Sequence, residues 1–308
     1  MTAPTADTAP RASTTRVDWP TLGLLAGFVA VWGLALLLPA SWGIVGFVIL
    51  VLALTLHSSL SHELLHGHPF GVERAETMIG LWQPGLFVPY LRFKRTHLAH
   101  HLDANLTDPY DDPETAYCDP AVWARLSQWQ RKVLDINNTL AGRLVLGPLI
   151  GMLAFVRSDI RTFRMGERVI VSDWALHIPG VVLTLWAVAL SEMSLGAYLA
   201  ACYCAMSMLK IRTFLEHQAH ARVSGRTAIV EDRSILGFLF LNNNLHVVHH
   251  MHPRLAWYKL WPLYLAQKER FVTRNHGYVY KSYGDVFRQH LWRRKEPVAH
   301  PLMPARKD

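Results

Sequence analysis

Cysteine is scarce in this chain. Cys118, Cys202 and Cys204 are the only three in 308 residues. None form a CxxC pair, which excludes rubredoxin-like and zinc-ribbon sites, and nothing suggests a disulfide framework. Cys202 and Cys204 lie in an apolar stretch and read as packing residues. Acidic residues are also few: 23 Asp+Glu stand against 31 Lys+Arg, giving a formal charge of +8 and a pI near 9.5. A basic balance can signal a nucleic-acid partner. Here the arginines flank apolar segments and no groove-reading motif accompanies them, so nucleic acid is not expected. No repeat of fixed period is evident. Two things are abundant instead. Hydrophobic residues make up 51% of the chain, with a mean hydropathy of +0.14, and there are 17 histidines.

The apolar residues are concentrated in runs. Residues 1–19 are rich in Thr, Ala and Pro and read as a disordered tail. The run behind them is longer than the core of a signal peptide, so it reads as a retained anchor. Residues 21–40 are almost wholly apolar and long enough to cross a bilayer core. A short turn leads to a second run, 44–60. Residues 174–190 and 195–211 form a second such hairpin. Residues 76–91 are apolar but contain Pro84, Gly85 and Pro89; they are too broken for a span and read as buried or interfacial. Residues 144–156 are short, contain Pro148, and precede Arg157, Arg161, Arg164 and Arg168. They read as a helix lying in the interface. The expected fold class is all-α: an integral membrane protein with four transmembrane helices in two hairpins, interfacial helices, and a histidine-rich cytosolic cap. Residues 20–308 form one domain, with the cap over 212–308. The turns at 41–43 and 191–194 carry no Lys or Arg, whereas the tail, 157–168 and the region after Lys210 are basic. The positive-inside rule therefore puts both termini in the cytosol; in a bacterium the membrane would be the inner one. Trp257, Tyr258, Trp261 and Tyr264 are placed to sit at a membrane surface.

The histidines are clustered in three motifs: His62-Glu-Leu-Leu-His66, His97-Leu-Ala-His100-His101 and His246-Val-Val-His249-His250. Residues three and four apart share a helix face, so each motif aims two or three imidazoles the same way. His217 and His220 sit just past the last apolar run. Eight to ten histidines exceed the four ligands of a tetrahedral zinc and suit two six-coordinate ions. Imidazole binds iron, copper, nickel and zinc, and iron is favoured where oxygen is to be activated. All three motifs must meet on one side of the membrane. Two hairpins allow this, whereas a fifth crossing at 144–156 would put the third motif on the opposite side.

These motifs and hairpins resemble the membrane fatty acid desaturase superfamily, which includes acyl desaturases, acyl and alkane hydroxylases, and carotenoid hydroxylases or ketolases. The likeness covers roughly His57 to Tyr264, with HELLH, HLAHH and HVVHH as the three histidine boxes. It implies two iron ions as cofactors, held by the eight box histidines, and O2 as co-substrate. It also implies one further histidine after the fourth span, with His220 the preferred match and His217 the second. Some members place an asparagine four residues before that histidine, where Glu216 stands here. Asn242, four residues before His246, is a candidate to support the ligands. Glu63 would orient imidazoles. The acidic stretch after box two (Asp103, Asp108, Asp111, Asp112, Glu114) reads mainly as a turn-rich loop with capping carboxylates; the alternative is hydrogen bonding to the box histidines, with Asp103 the best placed. The implied function is O2-dependent oxidation of unactivated C–H bonds in a long lipid chain, with a fatty acyl desaturase first and a hydroxylase or ketolase second. The chain has no cytochrome-b5-like haem motif and no cysteine cluster, so an external donor such as a ferredoxin must supply electrons.

HELLH also fits the HExxH motif of zinc proteases, in which the glutamate is the general base. That reading would leave both HxxHH boxes without a role. His57 and His177 read as packing residues within spans, His68 and His252 as structural, and His276, His290 and His300 as surface residues.

Overall fold

A computed structural model describes residues 17–101 and 103–303, so most of the tail expected over 1–19 lies outside them. Pro20 and Asp18 start the first helix, α1 (Trp19–Leu37): Asp18 accepts from the amide and the hydroxyl of Thr21, a common N-cap arrangement. A short 3-10 turn leads into α2 (Gly43–Leu65). This helix is five residues longer at its C-terminal end than the apolar run, and so carries His62 in its last turn. The segment read as broken is α3 (Glu73–Gly80), irregular chain over 81–89, and α4 (Tyr90–His100). Then follow α5 (Pro120–Arg125), α6 (Gln128–Asn137), α7 (Leu140–Arg164), α8 (Val169–Ala189) and α9 (Leu195–Thr213). The remaining chain holds β1 (Ile229–Val230), α10 (Ile235–Leu239), α11 (His246–Met251), α12 (Trp257–Ala266), α13 (Lys268–Arg274), β2 (Val279–Tyr280) and α14 (Tyr283–His290). The two short strands pair in parallel, Ile229 with Val279 and Val230 with Tyr280.

Among the described residues, four helices are long and apolar enough to cross a membrane: α1, α2, α7 and α8. Val29, Leu34, Ile44, Val48, Ile178, Val182 and Leu183 are all exposed on them. So much contiguous apolar surface suits lipid rather than water. The number matches the sequence expectation, but the membership does not. By composition α7 takes the place expected for α9, because Lys210 and Arg212 lower the hydropathy of α9.

The contacts of these two helices bear on that difference. α9 begins beside the α1–α2 turn, where a Cβ on Gly46 would lie 3.7 Å from Met193 Cε and Trp32 Nε1 donates to Tyr198 Oη at 3.0 Å. It packs along α2 and ends at the histidines. α7 behaves otherwise. Ser207 on α9 donates to the Leu144 carbonyl at 2.7 Å, and Trp174 on α8 donates to Asp159 at 2.8 Å. Leu144 and Asp159 are about 22 Å apart along α7, yet their partners lie about 18 and 22 Å from the α8–α9 turn. α7 therefore crosses its neighbours obliquely. Its exposed Val145, Leu149, Leu153, Val156, Ile160 and Phe163 form one apolar stripe, with Arg157, Arg161 and Arg164 alongside, the pattern of an amphipathic helix.

The irregular chain over 81–89 is packed between α2, α8 and α9. Its carbonyls find side-chain donors: Tyr198 Oη to Pro84 at 2.8 Å, and His177 Nε2 to Leu86 at 2.7 Å. Irregular backbone packed among helices requires such partners. The loop delivers α4, which two ion pairs then fix. Buried Arg92 meets buried Asp159 of α7 at 2.6 Å, and Arg95 meets Asp173 of α8 at 2.8 Å.

Candidate metal centre

Eight of the histidines are set by helices. His62 lies in the last turn of α2 and His66 caps it; His97 and His100 lie in the last turn of α4 and His101 caps it; His246, His249 and His250 lie on α11. Helical spacing turns each set to one face, and the packing of the helices brings the faces together. Among the described residues, the result is two adjoining groups of inward nitrogens: His62, His66, His97, His101 and His249 in one, and His100, His217, His246 and His250 in the other. Within each group the ligand atoms all lie within 4.8 Å of one another.

The spacing tests what these groups could hold. Nε2 atoms are 3.0 Å apart for His62 and His97, for His97 and His101, and for His101 and His249. In the second group the separations are 2.8 Å for His100 and His217 and 3.1 Å for His217 and His246. With metal–nitrogen bonds of about 2.1 Å, adjacent corners of an octahedron are about 3.0 Å apart, against about 3.4 Å for a tetrahedron. Five nitrogens also exceed a tetrahedron's four corners. The residues fit two ions of high coordination number better than one zinc.

The outer faces of the rings set their tautomers. His97 Nδ1 donates to Glu114 at 3.0 Å, His100 Nδ1 to Asp112 at 2.8 Å, and His246 Nδ1 to the Asn243 side-chain oxygen at 2.9 Å. A carboxylate can only accept, so in His97 and His100 Nδ1 carries a proton and the inward Nε2 is the atom turned to ligate. Lone pairs facing one another at 3 Å repel unless a cation lies between them. Carboxylate–imidazole pairs of this kind are what orient metal-bound histidines. Buried His66 Nε2 also lacks a hydrogen-bond partner, as expected of a ligand atom.

The family model for fatty acid desaturases matches residues 39–283, some four-fifths of the chain. The chain belongs to the fatty acid desaturase family. A search of curated proteins finds no significant match. The family implies oxidoreductase activity and iron use, and the two histidine groups of this desaturase family member could hold metal.

Electrostatics agree with that. Burial first, then neighbouring imidazoles, hold His101, His217, His246 and His249 well below the usual histidine range, and His66 falls to about 2. All are neutral and able to ligate. In His100 burial is outweighed by the carboxylates of Glu114 and Asp112, which raise it to about 9; this ring sits in negative surroundings that a cation would neutralise.

Several expected residues lie elsewhere. His220, the preferred ninth ligand, is outside both groups, and His217 stands in the second. Past α9 the chain doubles back: Gln218 N donates to Arg226 O at 2.9 Å and Ala228 N to Glu216 O at 3.0 Å. Three residues of extended chain carry His220 about 10 Å beyond His217, to the turn, where it stacks on His276 at 4.8 Å. Asn242 donates to the Trp257 carbonyl at 3.0 Å instead of reaching a histidine, because its backbone is left-handed at φ 57°. Its neighbour Asn243 touches both groups, His246 at 2.9 Å and His62 at 3.4 Å. The side chain of Asp103 lies outside the described residues. Asp112 and Glu114, read as loop caps, are the carboxylates on the rings. Glu216 lies 2.8 Å from Arg212 and 3.7 Å from His246. Glu63 accepts from Trp257 N at 3.2 Å and lies 3.8 Å from His62 Nδ1, on the side of that ring facing away from the cluster. Tyr264, expected at a membrane surface, is fully buried and donates to Glu231 at 2.6 Å. His68 bridges Asp18 at 3.0 Å and the Arg254 carbonyl, while His57 packs on Phe28 at 4.6 Å.

Proposed function

We propose that this member of the family is an O2-dependent di-iron oxidoreductase of long lipid chains, a fatty acyl desaturase first and an acyl, alkane or carotenoid hydroxylase or ketolase second. The observation that carries the reading is the pair of adjoining histidine groups, five and four nitrogens strong, at one end of apolar helices. His62, His66, His97, His101 and His249 would hold one iron, and His100, His217, His246 and His250 the other. Bound iron would supply the two-electron reduction of O2 needed to oxidise an unactivated C–H bond. The chain's own residues do the rest. Asp112, Glu114 and Asn243 orient the rings, burial keeps His66, His101, His217, His246 and His249 neutral, and the lipid-facing helices place the site beside an acyl substrate. A separate donor, ferredoxin-like in character, brings electrons, and the basic face would steer it.

We place α1, α2, α8 and α9 across the membrane and α7 in its interface, so that the histidines and both termini share the cytosolic side. A fifth crossing would separate box three from the other boxes. The zinc-protease alternative is disfavoured by Glu63, which lies behind His62 rather than among the inward nitrogens and so is not placed to activate a metal-bound water.

Lipid profiling by mass spectrometry of cells expressing the chain or its His100→Ala variant tests this. A lipid that loses two hydrogens supports desaturation, and one that gains an oxygen supports hydroxylation. An unchanged lipid profile with one zinc per chain would sink the reading.

A further inference from the structure

The chain after α14 returns across the cap and, among the described residues, reaches the four-histidine group at His217. Arg294 meets Asp135 at 2.6 Å, and Lys295 N donates to Asn138 O at 3.3 Å. Cys118 N then donates to Val298 O, and His300 N to Cys118 O, both at 2.9 Å. This strap reaches two ligands. Lys295, almost buried, donates from Nζ to the His217 carbonyl and lies 3.6 Å from Glu296. Glu296 accepts from Tyr117 Oη, which in turn accepts from Ala219 N at 2.7 Å, two residues past His217. On the other side His300 Nε2 lies 3.2 Å from Thr107 Oγ1. Thr107 N donates to Asp112 at 2.9 Å, and Asp112 holds His100.

His217 has particular need of such a tie. The other eight histidines of the two groups lie on helices or cap them, whereas His217 lies in extended chain, in an isolated bridge to Thr227. An ammonium taken out of water must be paired. Lys295 therefore fixes the strap and the His217 backbone together. The five-histidine group is held by other means: Glu114 on His97, Asn243 on His62, and α2 itself.

Building on the two-metal reading, we propose that the strap Lys295–His300 is a positioning device for the four-histidine metal site, with Lys295 as the residue that sets His217. Removing an orienting partner weakens a metal site by about 10–100-fold. Lys295→Met keeps most of the side chain's length and removes its donors; Lys295→Arg keeps a donor. The full-length proteins, loaded with iron, would be compared by metal analysis, Mössbauer spectroscopy and thermal unfolding. Wild type and Lys295→Arg should hold about two irons, and Lys295→Met about one after mild chelation, with the remaining signal that of the five-histidine site. Tyr117→Phe, which breaks the second tie without touching Lys295, should lower retention at the same site and serves if Lys295→Met does not fold. Equal retention by wild type and both variants, or loss of both irons together, would overturn the strap's role. A wild type that never holds two metals would instead refute the two-metal reading, and the strap's role with it.

Discussion

Asp112 offers the sharpest test of how the rings are held. Its carboxylate is 4% exposed and accepts three N–H bonds. Oδ1 takes His100 Nδ1 at 2.8 Å and Glu114 N at 2.9 Å, and Oδ2 takes Thr107 N at 2.9 Å. Asp112→Asn can keep an oxygen at only one of these positions. With that oxygen toward His100, the new amide faces the Thr107 N–H, and one buried donor is left unpaired at a cost of about 1–3 kcal/mol. The ring remains oriented, so metal affinity at the four-histidine group should fall toward the lower end of the roughly 10–100-fold range for lost orienting partners. Asp112→Ala removes all three bonds and should approach the upper end, about 2.8 kcal/mol at about 1.4 per tenfold. The assay is competition with a graded chelator, reading metal per chain, beside thermal unfolding in detergent. Asp112→Ala that folds and resists chelator as wild type does would refute the reasoning. So would Asp112→Asn that loses metal equally from both groups, because Asn keeps the Glu114 amide bond and should leave His97 undisturbed.

Three more outcomes follow from the geometry. His217→Ala should roughly halve the metal retained per chain, whereas His220→Ala should leave it unchanged; the reverse result would restore His220 as the ligand. Glu63→Gln keeps an acceptor for the Trp257 amide, so lipid oxidation should stay within about tenfold of wild type; a loss of about 100-fold or more with metal intact would mark Glu63 as a general base. Impermeant thiol labelling of Glu192→Cys in the α8–α9 turn and Arg161→Cys on α7, in a background lacking the native cysteines, should find them on opposite sides of the membrane. Arg161→Cys labelled from outside intact cells, with Glu192→Cys labelled only after lysis, would overturn the interfacial placement of α7.

The parts of this molecule that were legible in the sequence are those governed by local periodicity. Spacings of three and four put the box histidines on shared helix faces, and apolar runs of bilayer length marked α1, α2 and α8. The features that were not legible depend on where the chain turns or on which distant segments meet. The family resemblance prefers His220 to His217; the reversal after α9, set by contacts to Arg226 and Ala228, puts His217 in the histidine group instead. Asp112 reads as a loop cap and does act as one, accepting from Thr107 and Glu114, but only the packing of α4 brings His100 to its other lone pair. Lys295 carries no local signal, since its partner lies 78 residues away. α9 shows the same limit in hydropathy. Lys210 and Arg212 lower its apolar average, yet they stand in its last turn, beyond the apolar stretch packed on α2. Arg212 there meets Glu216 at 2.8 Å, immediately before His217. On the proposed placement, the charges that disqualify α9 by composition are those expected where a helix would leave the apolar layer and hand the chain to the candidate metal centre.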